Sequence, residues 1–393
     1  MKIKYILLPI LTALFSNVVI CQIDQYVTMT ENCDRLCLER FVDKYLEAVI
    51  AHDPARVPLS EKIKFTENGQ RLEVGDGLWN TASARGSYKL YIADPQAGQV
   101  GLRSLPASFG GQVGLRSLPA SFGGQVGLHS LPASFGGQVG LRSLPASFGG
   151  QVGLHSLPAS FGGQVGFIGT IRENNVPAIL ALRLKIENNV ITEIETIVAR
   201  DTAGALRIEK LVKPHPVFLE TVPVAERASR EELIKTANMY FTGLEKNDGK
   251  GVYPFTENCN RIENGNQTTN NPSLNPGPFD VGALGCKEQF ESGFFRFVTR
   301  IRDRRFMVVD EERGLVFAFV FFDHAGNVHN VQLTNGTTIP IGVIRPWTWE
   351  IAELFKIEKG LIRQIEAIVW ESPYGMNSGW SSWEEGLSGR VRR

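Results

Sequence analysis

The sequence predicts an α+β chain made of two tandem copies of one domain, each a helical start followed by an antiparallel sheet, with a repeat insertion in the first copy. Three ordered internal matches predict it. Leu38, Phe41, Val42, Tyr45, Leu46 and Val49 fall at i, i+3, i+4, i+7, i+8 and i+11, the spacing of one apolar helix face, and Leu233, Thr236, Ala237, Tyr240, Phe241 and Leu244 repeat it. FTENGQRLEVG (65–75) then matches FTENCNRIENG (255–265), and IENNVITEIETIVAR (186–200) matches IEKGLIRQIEAIVWE (357–371) without a gap.

The chain has 393 residues, enough for two or three domains, and its 41 Lys+Arg balance 41 Asp+Glu. A balanced charge favours neither nucleic acid nor an anionic membrane surface, so no nucleic-acid or membrane partner is expected. Residues 1–21 carry Lys2 and Lys4, then an apolar run from Tyr5 to Ile20 that is short for a bilayer span. They read as a signal peptide, and the protein as secreted and extracellular. Four cysteines remain after it, Cys33, Cys37, Cys259 and Cys286. An even number in an oxidising compartment points to disulfides. Three pairings are open; Cys33–Cys37 with Cys259–Cys286 is favoured because each pair stays within one copy. Asn266 and Asn335 head glycosylation sequons.

The first domain spans 30–202. It is interrupted at 101–165 by five units of GLRSLPASFGGQV that change only at the third position, Arg103, Arg116, His129, Arg142 and His155. Near-identity points to a recent duplication or a gene-model artefact. Each unit holds a Pro, a Gly-Gly pair and few apolar residues, so it reads as a flexible, disordered surface insertion rather than a stacked solenoid. Deleting it leaves AGQVGFIGTIREN, a continuous strand-like sequence. Pro-punctuated residues 203–225 form the linker, 226–372 the second domain and 373–393 a tail. Ser229 and Glu232 are spaced as a capping box. AILALRLKI, LVFAFVFFDH and PWTWEIAELFKI read as strands.

A helix, an FTENG-type segment and a sheet ending in G-x-I-x-x-I-E resemble the nuclear transport factor 2-like superfamily, in its SnoaL-like branch. More closely, FTENGQRL, AHDPAR, GTIREN, TTNNP, RDRRF, DEERGLVFAF and YGMNSGW resemble a family of secreted proteins carrying a domain of unknown function. The superfamily resemblance implies cone-shaped domains, a curved antiparallel sheet closed by helices around a pocket. Relatives such as ketosteroid isomerase, scytalone dehydratase, limonene epoxide hydrolase and polyketide cyclases mostly do acid–base chemistry without metal. Others only bind or dimerise.

Several residues have the chemistry for such a site. Glu67 with Arg71, and Glu257 with Arg261, sit four apart as structural ion pairs or as a base beside an anion clamp. Glu195 and Glu366 occupy one position of the final strand; if that face lines a pocket, burial raises their pKa for acid–base work. His324, after Asp323, is a proton carrier or a strand-end surface residue. Arg300, Asp303, Arg304 and Arg305 read as a solvated face, and Trp370, Trp380 and Trp383 as a lid or a packed tail. His52 and His215 look like turn residues. No triad order, phosphate loop or zinc motif occurs, so no cofactor and no metal are expected. The leading reading is a lyase, isomerase or hydrolase for a small apolar or aromatic molecule, using His324, Glu257, Arg261 and Glu366 of the second copy. The rival is a non-catalytic protein binding a small hydrophobic ligand or serving assembly, its oligomeric state unset.

Overall fold

The computed structural model describes residues 33–98, 162–201, 204–272, 280–342 and 345–387. Residues 1–32, with the expected signal peptide, and the array up to residue 161 lie outside them. Helix α1 (Arg35–Ile50) opens the first copy, with the Asp34 carboxylate accepting from Cys37 N and capping an otherwise unsatisfied donor. Then come β1 (Leu59–Glu67), β2 (Gln70–Arg71), the short α2 (Leu78–Thr81), β3 (Ala82–Asp94), β4 (Gly162–Glu173), β5 (Val176–Glu187) and β6 (Val190–Ala199). A connecting α3 (Ala205–Glu209) leads to the second copy: α4 (Arg230–Lys246), β7 (Phe255–Glu263), β8 (Asn266–Gln267), α5 (Cys286–Glu291), β9 (Arg300–Asp310) and β10 (Leu315–His324). A β11 (Asn330–Gln332) and β12 (Thr338–Pro340) hairpin, β13 (Trp347–Glu358), β14 (Leu361–Ser372) and α6 (Trp383–Leu387) complete it. The capping box at Ser229 and Glu232 is present.

The two six-stranded sheets have the same order, β2-β1-β6-β5-β4-β3 and β8-β7-β14-β13-β10-β9, which establishes the duplication structurally. Neither sheet is wholly antiparallel. β1 lies parallel to β6, and β7 parallel to β14, because the first strand of each copy returns to the last.

The common order also corrects one sequence match. Glu195 and Glu366 are equivalent; Thr66 pairs with Glu195, and Ile262 with Glu366. Glu67 therefore corresponds to Glu263 rather than Glu257. Asn68-Gly69 and Asn264-Gly265 are the equivalent left-handed turns. Both asparagines bind the final strand alike, Asn68 to Val198 and Asn264 to Val369. The true correspondence is the three-residue Glu-Asn-Gly, and the longer FTEN match is six residues out of register.

Each sheet buries both faces. On β10, Val316, Ala318, Val320 and Phe322 join the core under α4, while Leu315, Phe317 and Phe319 join a third core shared with Leu90, Ile92, Ile168, Ile179 and Ile197 of the first copy. That seam explains why LVFAFVFFDH is apolar almost throughout, since a strand covered on both sides has no solvent face. Residues of the connector fill its edge, with Ile208, Val217 and Phe218 buried. At about 1.5–3 kcal/mol per large apolar side chain, this packing holds the copies together far more strongly than surface ion pairs do.

Both disulfides join the favoured pairs, Cys33–Cys37 and Cys259–Cys286. No helix among the described residues is long and apolar enough to cross a membrane.

Candidate functional site

The final-strand glutamates lie in the seam, not under the helices. Glu366 is buried against the first copy, where its two oxygens stand 2.7 and 2.6 Å from the Tyr88 hydroxyl. Burial pushes its pKa up to about 7. Glu195 is equally buried, held by Arg183 at 3.1 Å and by Arg305 of the second copy at 2.7 Å. The strand alternation that suggested a pocket is real, but the other copy covers that face.

Most of the supposed solvated face lies in the same seam, while Arg304 turns to the other side and meets Asn238, Thr242 and Glu245 of α4. Arg302, Asp303 and Arg305 are buried. Arg302 pairs with Asp323 at 2.8 Å, and Asp303 accepts from Ser378 and Ser381 of the tail. Trp380 lies under both Lys64 and Arg183 and donates to Thr66, while Trp383 faces Arg300 and Arg302. The tail thus straps the seam rather than closing over a pocket. Trp370 packs against the shared core.

His324 is fully buried and points to the opposite face from Glu366, so the two cannot meet a common ligand atom. Its ring stacks on Trp347, with centroids 3.8 Å apart, and lies near Phe297 and Trp349. No side chain partners either ring nitrogen, whose polar neighbours are backbone groups of Trp347 and Phe322. Desolvation lowers its pKa to about 4, against the opposing pull of Asp323. A ring so placed stays neutral and reads as packing.

The proposed carboxylate–guanidinium pairs do not form. Glu67 binds Arg200 at 2.6 Å and accepts from Leu78 N, while Arg71 is exposed. Glu257 is exposed and Arg261 is buried. Of the other predicted positions, His52 adopts positive φ in a turn and His215 caps Val217. Asn335 is exposed and Asn266 half-buried.

What converges instead is a set the sequence reading did not assemble. Between α4 and the inner face of the second sheet, Tyr240, Arg261, Glu263 and Glu353 line a cavity of about 30 Å³, with Leu244, Phe295, Val298, Phe322, Trp349 and Ile351 as apolar wall. That volume holds a water or two. Arg261 is fixed by Glu263 at 2.7 Å, by Thr268 at 3.1 Å and by Gln289 at 2.7 Å. Gln289 is itself held by two backbone carbonyls, and Cys259–Cys286 ties its helix to the strand of Arg261. The Tyr240 hydroxyl interacts with both Arg261 and Glu353, and beyond it one guanidinium nitrogen, Nη1, and one carboxyl oxygen, Glu353 Oε2, remain without partners. Burial raises the Glu353 pKa to about 8, with the Tyr240 hydroxyl and Arg261 pulling against it. Burial likewise drives the Tyr240 phenol well above its usual range, so it stays protonated.

Residues 226–369 match a domain of unknown function, DUF8021. The DUF8021 match spans the second copy, including Tyr240, Arg261 and Glu353. No curated protein matches the chain. A solved structure of AusH from Aspergillus nidulans is similar at 14% identity and a TM-score of 0.23, over 36% of this chain and 86% of that one, a likeness too loose to carry a functional inference. In the first copy, outside the DUF8021 match, the equivalents of Arg261 and Glu353 are Phe65 and Leu182, both buried and apolar, and Trp79 fills the space beside Tyr45. A larger cleft of about 690 Å³ is lined by acids already ion-paired, Asp310 and Glu312 with Arg35, and Asp94 with Arg230. Among the described residues no cluster of three metal-ligating side chains occurs.

Proposed function

We propose that the second copy is a cofactor-free acid–base enzyme acting on a small apolar or aromatic molecule, with Glu353 as its proton carrier and Arg261 as the group facing developing negative charge. One observation supports the reading most: two buried ionisable side chains stand where the first copy has Phe65 and Leu182, and each leaves one polar atom unpartnered at the same cavity. An unsatisfied buried polar group costs about 1–3 kcal/mol, so two of them in one place argue for a ligand that satisfies both. A carboxyl with pKa about 8 carries its proton at neutral pH and can both give and recover it. In the proposed step Glu353 protonates a substrate oxygen, and the resulting carboxylate takes a proton from neighbouring carbon. The protons balance without a co-reactant, giving isomerisation, or elimination where the protonated oxygen leaves as water. The nuclear transport factor 2-like resemblance agrees with this placement of a pocket between helix and sheet. The first copy serves as the packing partner.

The test is deuterium uptake from D2O into small aromatic and alicyclic carbonyl compounds, followed by NMR. The wild-type chain is expected to catalyse exchange, and Glu353→Gln to lose about a hundredfold with its fold intact. Equal rates in the two proteins overturn the reading. The small cavity favours a second reading, non-catalytic ligand binding, which predicts no exchange in either protein. The leader, the two disulfides and the exposed sequon at Asn335 support secretion. Mass spectrometry of the medium should find a mature chain starting near residue 22; the intact leader on a cell-retained protein would refute it.

A further inference from the structure

Resting on the site just proposed, its unpartnered atoms specify the ligand more narrowly. The Arg261 charge is already met by Glu263, so a ligand carboxylate or phosphate finds no uncompensated cation and has the Glu263 carboxylate beside it. An ammonium group would face the guanidinium. A polyol would leave hydroxyls against Leu244, Phe295, Val298 and Phe322, at the cost of buried unpaired groups. A single acceptor oxygen, by contrast, can take one hydrogen bond from Arg261 Nη1 and one from the protonated carboxyl of Glu353. Phe295 lies over Arg261 with its ring centroid 5.2 Å from the guanidinium carbon, and Trp349 forms another wall, so the body attached to that oxygen meets flat apolar surfaces.

We infer that the cavity takes a neutral carbonyl compound with a compact aromatic body, its oxygen held between Arg261 Nη1 and Glu353. In the closed cavity that oxygen takes the place available to a water, and the body requires the aromatic wall to move.

The probes are four molecules of one shape: acetophenone, toluene, benzoate and benzylammonium, titrated into the full chain by ligand-observed NMR. Acetophenone is expected to bind at least about tenfold tighter than toluene, because toluene leaves both polar atoms unpaired. Benzoate and benzylammonium should not displace it. Glu353→Leu, which copies Leu182 of the first copy, should lower acetophenone affinity to the toluene level, while Glu353→Gln, which keeps a donor, should retain most of it; thermal melts identify any variant that fails to fold. Benzoate binding as tightly as acetophenone, no preference for acetophenone over toluene, or no binding of any probe each overturns the inference. Acetophenone binding without deuterium exchange leaves this ligand class standing and removes the catalytic reading. Exchange without that preference does the reverse.

Discussion

Glu353 and Arg261 are costly residues in a protein core, and their neighbours show how the cost is contained. Arg261 has Glu263, Thr268 and Gln289 as fixed partners, whereas Glu353 stays neutral by keeping its proton. Glu350 and Glu366 do the same in the seam: Glu350 rises to about 8 through burial and the nearby Glu195 and Asp303, against Arg305, and Glu366 to about 7 against Tyr88. A carboxyl whose folded pKa lies above its unfolded one holds its proton more tightly in the folded chain, so rising pH favours the unfolded chain. These three groups therefore stabilise the fold fully below about pH 4.5, and their contribution is lost as pH climbs through 7 to 8. Asp323, held low by Arg302, Thr348 and Arg300 against its burial, works the other way and sets a lower limit in acid. Melting temperature should fall by several degrees from pH 5 to pH 8, and Glu350→Gln should flatten that slope; a melt that is highest at pH 8 contradicts the account. The sequence held the sign of this site. Glu350 and Glu353 stand three apart on one strand, hence on opposite faces, where the first copy has Ile179 and Leu182. Extending the 186/357 match upstream exposes both exchanges. Chemistry read from spacing within one copy did not, because Arg261 and Glu353 are far apart in the chain.

Helices and final strands were legible because their patterns are local: a twelve-residue stripe needs only its own spacing, and a gapless match carries its own register. The parallel return of β1 to β6 was not, since nothing in β1 specifies a partner more than a hundred residues away. The FTEN repeat shows the hazard of short identities, which can align chemistry that the sheet does not. The array is clearer in three dimensions than in sequence. β4 begins at Gly162, so the last four residues of the fifth unit are strand: Gln164 pairs with Asp94, Val165 with Ala93, and Arg183 binds Gln164. A Cβ at Gly163 would lie 2.8 Å from Asp94 O. Deleting 101–165 puts Gly98, Gln99 and Val100 into these places and closes β3 to β4 through Pro95–Gly98, a four-residue hairpin loop. The deleted protein should melt cooperatively within a few degrees of the full chain; loss of a cooperative transition would show that the array supports the fold.

At the scale of the whole molecule, two sheets face each other as a homodimer's would, but in one chain. Apolar strands such as β10 made burial on both faces readable, though not the identity of the cover. Separated from the first copy, residues 226–387 would expose Phe317, Phe319 and Leu354, too large an apolar face for a soluble monomer. The isolated second copy should self-associate through that face in light scattering; a stable monomer with native circular dichroism would show that the seam is dispensable. Joining the copies frees each to change alone, and the divergence of Leu182 from Glu353 is what such freedom permits. The Gly-Gly-Gln-Val strand start has a genetic counterpart. Every unit ends in those same four residues, so whichever unit comes last supplies the same edge to the sheet. Alleles with four units or nine would present identical strands to folding, and unequal crossing-over at this locus would go unseen by selection for stability.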